Sequence, residues 1–318
     1  MSFRIKTHGH LGGELRRVVE EEISAALEEL ESLEQGDTAE AVHEARKHFK
    51  KLRATVQLLR EPLGAKRIQA EETCYREIGR KFRRLRDAQA LTVTLDSLAR
   101  RFFEARRPPI VLAARHMLVA EAHLALRALE RKDGLSTVLA GLREAHQRAA
   151  AWKIDDFRWK HLATALRRSY RRAREAWRHA RTEPKPRRLH DWRRRAKDLW
   201  YHLTLAHSAA PAFMEELAGE LEVLGEFLGD DHDLIVLRKA LEDHPRQVAA
   251  GQARDALFDI IALRREELLG AAFDLGGRVF AESPGAFLRA LEARRHDQRQ
   301  RHKKATQAAE RLTAIGQR

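Results

Sequence analysis

The chain has 318 residues, of which 43% are hydrophobic, enough apolar surface for one large domain or two ordinary ones and too much for wholesale disorder. Its 61 Lys and Arg outweigh 47 Asp and Glu, leaving +14 with the histidines neutral, and arginine outnumbers lysine 47 to 14; the expected partner is an anion whose oxygens a planar guanidinium grips in pairs. The scarcity of Gly (17) and Pro (8) argues against a turn-rich all-β fold. A single cysteine, Cys74, rules out an internal disulfide and fits a reducing compartment. The N-terminal residues lack the apolar core of a signal peptide and no run of 18 apolar residues occurs, so a soluble, cytoplasmic protein that needs no membrane is expected.

Apolar residues recur with helical spacing throughout, and no period-2 alternation is sustained, which predicts an all-α chain. Breaks fall at Gly36-Asp37, Glu61-Pro62, Arg107 to Pro109, Asp133-Gly134, Pro184 to Pro186, Pro211, His244-Pro245 and Ser283-Pro284, because proline suits helix starts and not helix interiors. Between them lie helices of roughly 15 to 30 residues, and connections this short favour antiparallel bundles.

The first helical stretch, Glu14 to Leu33, is acidic on several positions. The second carries the apolar seam Val42, Ala45, Phe49, Leu52, Val56, Leu59, with a polar stripe of His43, Arg46, Lys47 and Lys50 beside it, extended by Arg53. Arg80, Arg83, Arg84 and Arg86 form a weaker stripe further on. From Arg158 to Tyr201 there are 16 Lys and Arg against four acids, with Arg167, Arg171, Arg174 and Arg178 on one face. A second seam follows, Leu189, Trp192, Ala196, Leu199, Leu203, Ala206, flanked by His190, Arg193, Arg194 and Lys197 and extended by Tyr201. Ordinary solvated faces mix signs, since like charges at i, i+4 each cost a helix roughly 0.2 to 0.5 kcal/mol. Two cation-only stripes, each beside a buried seam, suit a polyanion.

The two seams belong to a repeat. Val42 to Leu52 aligns with Leu189 to Leu199 at an offset of 147, and Leu85 to Leu91 with Leu228 to Leu234 at an offset of 143. The reading is one domain over 1–318 made of two similar helical bundles, about 10–153 and 154–310, related by a pseudo-two-fold axis. In sequence, Asp198 of the second stripe replaces Lys51 of the first.

The paired His-x-x-Arg-[Lys/Arg]-x-x-Lys-x-Leu helices, their downstream Leu-x-Asp segments and the tandem all-α halves resemble the CHAD family, and the likeness spans nearly the whole chain. The resemblance implies a basic central cleft between the halves and the binding of inorganic polyphosphate. It carries over His43, Arg46, Lys47, Lys50, His190, Arg193, Arg194 and Lys197 as ligands, and likeness to the family's Tyr-Arg-x-x-Arg stretch adds Arg171 and Arg174 after Tyr170. The cleft is then expected to be walled by the first histidine helix and two adjacent helices of the second half. A place at polyphosphate granules follows as an expectation.

No phosphate loop, dinucleotide-binding glycine motif or zinc-protease motif occurs. Asp230-Asp231-His232-Asp233 could supply oxygen ligands to Mg²⁺, or serve packing and hydrogen bonding. His43 and His190 could contact ligand or only support their helices. The leading expectation is a non-enzymatic binder of inorganic polyphosphate that uses no cofactor and no metal. RNA or DNA binding is the alternative, against which stands the 6% aromatic content. A polyphosphate-processing enzyme is a third reading.

Overall fold

The computed structural model describes residues 3–6, 10–32, 38–103, 107–130, 134–246, 248 and 250–316. Every regular element among them is helical. In chain order they are α1 (Leu11–Glu31), α2 (Thr38–Leu58), α3 (Arg60–Leu63), α4 (Ala65–Lys81), α5 (Arg83–Phe102), α6 (Pro109–Glu130) and α7 (Gly134–Ala150). There follow α8 (Trp159–Thr182), α9 (Pro186–Leu205), a 3-10 turn at His207–Ala209, α10 (Pro211–Asp243), α11 (Gln252–Val279) and α12 (Pro284–Gly316). Proline opens α6, α9, α10 and α12, where its missing N–H costs nothing because the first turn has no partner for it. The Ser283 hydroxyl accepts the Ala286 N–H at 3.1 Å and caps α12. The predicted break at Gly36-Asp37 lies outside the described residues. Glu61-Pro62 is not a simple break, since both residues sit inside the short α3, and Gly64, at φ +79°, provides the turn into α4.

Two breaks are absent from the predicted set: residues 151–158 separate α7 from α8, near the expected junction of the halves, and the other falls inside the first half. α4 ends and α5 begins around Phe82, which is buried and stacks on Phe49 at 6.5 Å. The helical pattern runs on through this point in the sequence, and only the anchoring of Phe82 in the core marks the bend. α10, by contrast, runs unbroken for 33 residues.

Both seams are fully internal: Val42, Ala45, Phe49, Leu52, Val56 and Leu59 from the first, and Leu189, Trp192, Ala196, Leu199, Leu203 and Ala206 from the second, are all buried. α1 packs on α2 and α7; α8 packs on α9 and α12; α2 packs on α4 as α9 does on α10; α5 packs on α6 as α10 does on α11. The acidic α1 is tied to the outer side of α2. Buried Glu22 receives His48 Nδ1 at 2.5 Å and Lys51 Nζ at 3.1 Å.

The apolar residues form two cores. The larger takes in α1, α2, α4, α7, α8, α9 and the N-terminal part of α10, with Phe3 and Ile5 of the N-terminal strand of chain tucked against it. There the Ile5 N–H donates to the Leu205 carbonyl at 2.9 Å. Gly276 lets α11 approach closely, since a Cβ at that position would lie 2.7 Å from Trp192 and 2.9 Å from Trp177. The smaller core joins the hairpins α5–α6 and α10–α11 through Leu95, Met117, Leu237 and Ile261. α6 has a window, Pro109–Ala128, of mean hydropathy 1.3 that by length and composition could cross a membrane, although the sequence contains no unbroken apolar run of that length. Val111, Ala114, Met117 and Leu118 of this window pack into the smaller core.

Candidate functional site

Where the two cores meet, five helices enclose a cavity of about 480 Å³. α2 contributes Arg46, Phe49, Lys50 and Arg53; α4 contributes Tyr75, Arg76, Gly79 and Arg80; α5 contributes Arg83, Arg86 and Asp87. His190 and Arg193 of α9 close one side, and His232, Asp233 and Val236 of α10 another. The wall thus holds seven arginines and a lysine against two aspartates. The buried seams explain the placement: with Phe49 and Trp192 facing inward, the stripes one position away are swung to the shared edge of α2 and α9.

The carboxylates do not neutralise the wall. Asp87 accepts Arg83 Nε and Arg86 Nη1, both at 3.1 Å, and Asp233 lies 3.8 Å from Arg86 Nη2. Arg46 Nη1 donates to the Gly79 carbonyl at 2.7 Å, which fixes α2 to the end of α4. Three polar atoms on the cavity residues are buried without a hydrogen-bond partner: Arg53 Nε, Arg193 Nε and Tyr75 Oη. Such orphaned donors are rare in native interiors and ask for an acceptor.

The field of so many cations shows in the titration of its members. Burial, reinforced by Arg86, Arg193, Arg46 and Lys197, pulls the Lys50 ammonium down to about 7. Lys50 is exposed by surface area while its amine lies among the cations of the cavity it lines. Burial and Lys47 lower His43, and burial with Arg193 and Arg194 lowers His190. The His190 ring sits 5.0 Å from that of His232, which burial, Arg193 and His190 bring to about 4.

Two further hollows adjoin the cavity. One, of about 230 Å³, shares Arg53 and Arg76 with it and adds Arg60, Arg172, Arg194 and Arg195 beside Glu72 and Asp198. The other, of about 840 Å³, shares Arg86 and Asp233 and is flanked by His43, Arg100, Arg101, Arg264 and Asp230.

Of the residues expected from sequence, Arg46, Lys50, Arg53, Arg83, His190 and Arg193 line the main cavity, and Arg194 and His43 line the neighbouring hollows. Five are placed elsewhere. Lys47 pairs with Glu44 on the exposed side of α2. Arg171 is exposed and lies 3.8 Å from Glu175. Arg174 donates from Nε to the Phe280 carbonyl at 2.9 Å. Lys197 Nζ lies 3.6 Å over the Trp200 ring. Tyr201 is buried edge-on against Phe3.

The expectation that α8 forms a wall of the main cavity is therefore corrected. Leu162, Leu166, Ala173 and Ala180 set the rotation of α8 in the core, and that rotation sends Arg167, Arg171 and Arg178 outward. One position along, Arg172 lines the 230 Å³ hollow, and Arg168 donates from Nη2 to the Gln57 carbonyl at 3.2 Å. The main cavity receives α4, α5 and α10 in place of α8. Sequence reasoning missed Arg76, Tyr75 and His232; the weaker stripe did contain Arg80 and Arg86, and only Arg84 of that group lies off the cavity.

The acidic run of α10 divides its roles. Asp231 is buried and accepts Arg265 Nε at 2.8 Å, while Asp230 and Asp233 face opposite cations. Among the described residues no group of three or more His, Cys, Asp and Glu side chains is placed to hold a metal ion.

The fold is thus a bundle of helices with an arginine-lined cavity between its two histidine helices. The CHAD domain family model matches residues 17–242, and the chain belongs to that family. The match ends within α10, so α11 and α12 lie beyond it. A search among curated proteins found no match.

Proposed function

We propose that the protein binds inorganic polyphosphate in the cavity between α2 and α9 and holds it without cleaving it. One observation carries the reading: eight cationic side chains line one cavity that has only two carboxylates. Unit charges 4 Å apart repel by about 4 kcal/mol at an effective dielectric near 20, so a bound polyanion removes a large standing repulsion. Guanidinium forks suit the paired oxygens of successive phosphates. Membership of the CHAD family supports the same ligand. The parallel packing of α1–α2 with α8–α9, and of α5–α6 with α10–α11, supports two halves related by a pseudo-two-fold axis, each lending a histidine helix to the cavity.

The cavity favours a phosphate chain over a nucleic acid because it offers bases no platform. Phe49 is already stacked on Phe82, and Tyr75 is fully buried. The deciding experiment is competition between polyphosphate, single-stranded RNA and duplex DNA at about 0.15 M salt, where screening leaves mainly specific contacts. Preference for polyphosphate is expected, and preference for either nucleic acid would overturn the reading. Polyphosphate incubated with the protein, Mg²⁺ and ADP should keep its length distribution. Shortening that disappears in an Asp230→Ala, Asp233→Ala variant would make the protein an enzyme. In the cell the reading puts it in the cytoplasm, at polyphosphate granules, which fluorescence co-localisation tests.

A further inference from the structure

Lys47, Lys50 and Lys51 lie within about one turn of α2, and their surroundings differ. Lys47 is paired with Glu44, and Lys51 reaches the buried Glu22 of α1 at 3.1 Å. Lys50 instead lines the arginine-walled cavity, and the charged groups bearing most on its amine are Arg86 of α5, Arg193 and Lys197 of α9 and Arg46 of its own helix, all cations. The two carboxylates of the wall, Asp87 and Asp233, face Arg83 and Arg86.

We propose that Lys50 is a modification site at which small acyl phosphates acylate the protein. The proposal rests on the anion-binding reading of the cavity, since the phosphate of the reagent is what the arginines recognise. A phosphate held by Arg46, Arg86 and Arg193 puts its acyl carbon in the same 480 Å³ space as the Lys50 amine. The amine lone pair attacks the acyl carbon; the N–C bond forms, the C–O bond to phosphorus breaks, and orthophosphate leaves with that electron pair. The nitrogen then gives up one proton to water, leaving a neutral amide. No electrons are exchanged with any third species.

The same surroundings favour both halves of the step. Arginines around the leaving phosphate stabilise the charge that develops on it. Burial, with the neighbouring cations, brings the Lys50 ammonium to about 7, so near neutral pH much of it is the free amine, the nucleophilic form. Lys47, paired with Glu44, does not line that cavity. An acyl group on Lys50 deletes one cation from the wall and occupies part of the cavity, so acylation and polyphosphate binding become antagonists. The site would report the supply of activated acyl phosphates to polyphosphate binding.

The test uses the full-length protein, acetyl phosphate as reagent and peptide mass spectrometry as readout, with N-acetoxysuccinimide as an acetylating reagent that carries no phosphate. At about pH 7.5 acetyl phosphate should label Lys50 at least about tenfold faster than Lys47, as expected for an amine that shares the cavity with the phosphate-holding arginines. That preference should shrink with N-acetoxysuccinimide, and saturating polyphosphate should protect Lys50 while leaving Lys47 unaffected. Lys50→Arg should lose the fast phase and retain the slow surface labelling. Equal labelling of Lys50 and Lys47 by acetyl phosphate would overturn the proposal, as would an equal preference with both reagents. Preferential labelling of Lys50 that polyphosphate fails to block would support the acylation site and count against the polyphosphate reading. A protein that binds polyphosphate tightly yet shows no preference at Lys50 would do the reverse.

Discussion

His202 of α9 joins the Ala54 carbonyl of α2 at 2.8 Å, across 148 residues of sequence. A carbonyl only accepts, so Nε2 carries the proton, and Nδ1 takes the Ser169 hydroxyl of α8 at 2.8 Å. One fully buried ring therefore locks three helices, and with them the relative placement of Arg46, Lys50 and Arg53 on α2 and of Arg193 on α9. Burial holds its pKa down to about 4.

This ring and Asp198, one turn earlier, have opposite effects on acid stability. His202 is depressed from 6.5 to about 4, so its contribution is present above pH 6.5 and lost as pH falls through 4. Burial raises Asp198 from 3.8 to about 6, so its contribution is present below 3.8 and lost as pH rises through 6. Each contribution amounts to roughly 3 kcal/mol, because every tenfold change in a protonation equilibrium is worth about 1.4 kcal/mol, and the two nearly cancel between pH 4 and 6. Urea denaturation at stepped pH should show Asp198→Asn losing stability relative to wild type toward acid. His202→Gln should gain relative to wild type over the same window. Parallel curves for all three proteins would contradict this.

Binding should draw protons from solution. A polyanion beside Lys50 favours its ammonium form, so the bound-state pKa lies above the free value of about 7, and affinity weakens as pH rises above 7. His43 and His190, both lowered in the free protein, add a smaller strengthening below pH 6.5. Calorimetry at about pH 8 in two buffers of different ionisation enthalpy should register proton uptake, much reduced in Lys50→Met. Equal heats in the two buffers would exclude it.

Alanine substitutions should divide by placement. Arg86→Ala and Arg193→Ala each remove a charge-assisted contact worth roughly 1.5 to 3 kcal/mol, hence about a tenfold or greater loss of polyphosphate affinity. Because the two come from α5 and α9 and line one cavity, either loss should lower affinity without halving stoichiometry. Lys47→Ala and Arg171→Ala should stay within about twofold, as exposed ion pairs contribute little. Arg174→Ala should lower thermal stability through the orphaned Phe280 carbonyl and leave affinity alone. A halved stoichiometry at unchanged affinity in Arg193→Ala would mean two separate sites.

Affinity should also fall steeply with salt. With about 0.7 counterions released per neutralised charge, as for single-stranded nucleic acid, and roughly six charges, the drop from 50 to 200 mM is on the order of 10²- to 10³-fold. A titration with little salt dependence would mean that the arginine wall is not where the ligand binds.

Local pattern was enough to place both histidine helices. Val42 to Leu59 and Leu189 to Ala206 alternate three and four residues apart, and burying that stripe fixes each helix's rotation, so His43, Arg46, Lys50 and Arg53 and their counterparts His190 and Arg193 were legible from spacing. α8 was not, because its arginines spread across the whole side opposite Leu162, Leu166, Ala173 and Ala180, and several of them border that buried face. Which of them meets a hollow depends on α9 and α12, and Arg172 lines the hollow beside the main cavity while Arg171 is exposed.

The sequence by itself determined the all-α class, the proline-opened helix starts and the two cationic stripes, since each is written in residues within a few turns of one another. Only the tertiary structure decided the cavity's walls: the bend at Phe82, which turns Arg83 and Arg86 of α5 and Arg76 and Arg80 of α4 toward one space, and the arrival of His232 and Asp233 from α10. These are separated by up to 157 residues in the chain, and what brings them together is the burial of apolar seams on their opposite sides, a long-range packing constraint that no local pattern encodes.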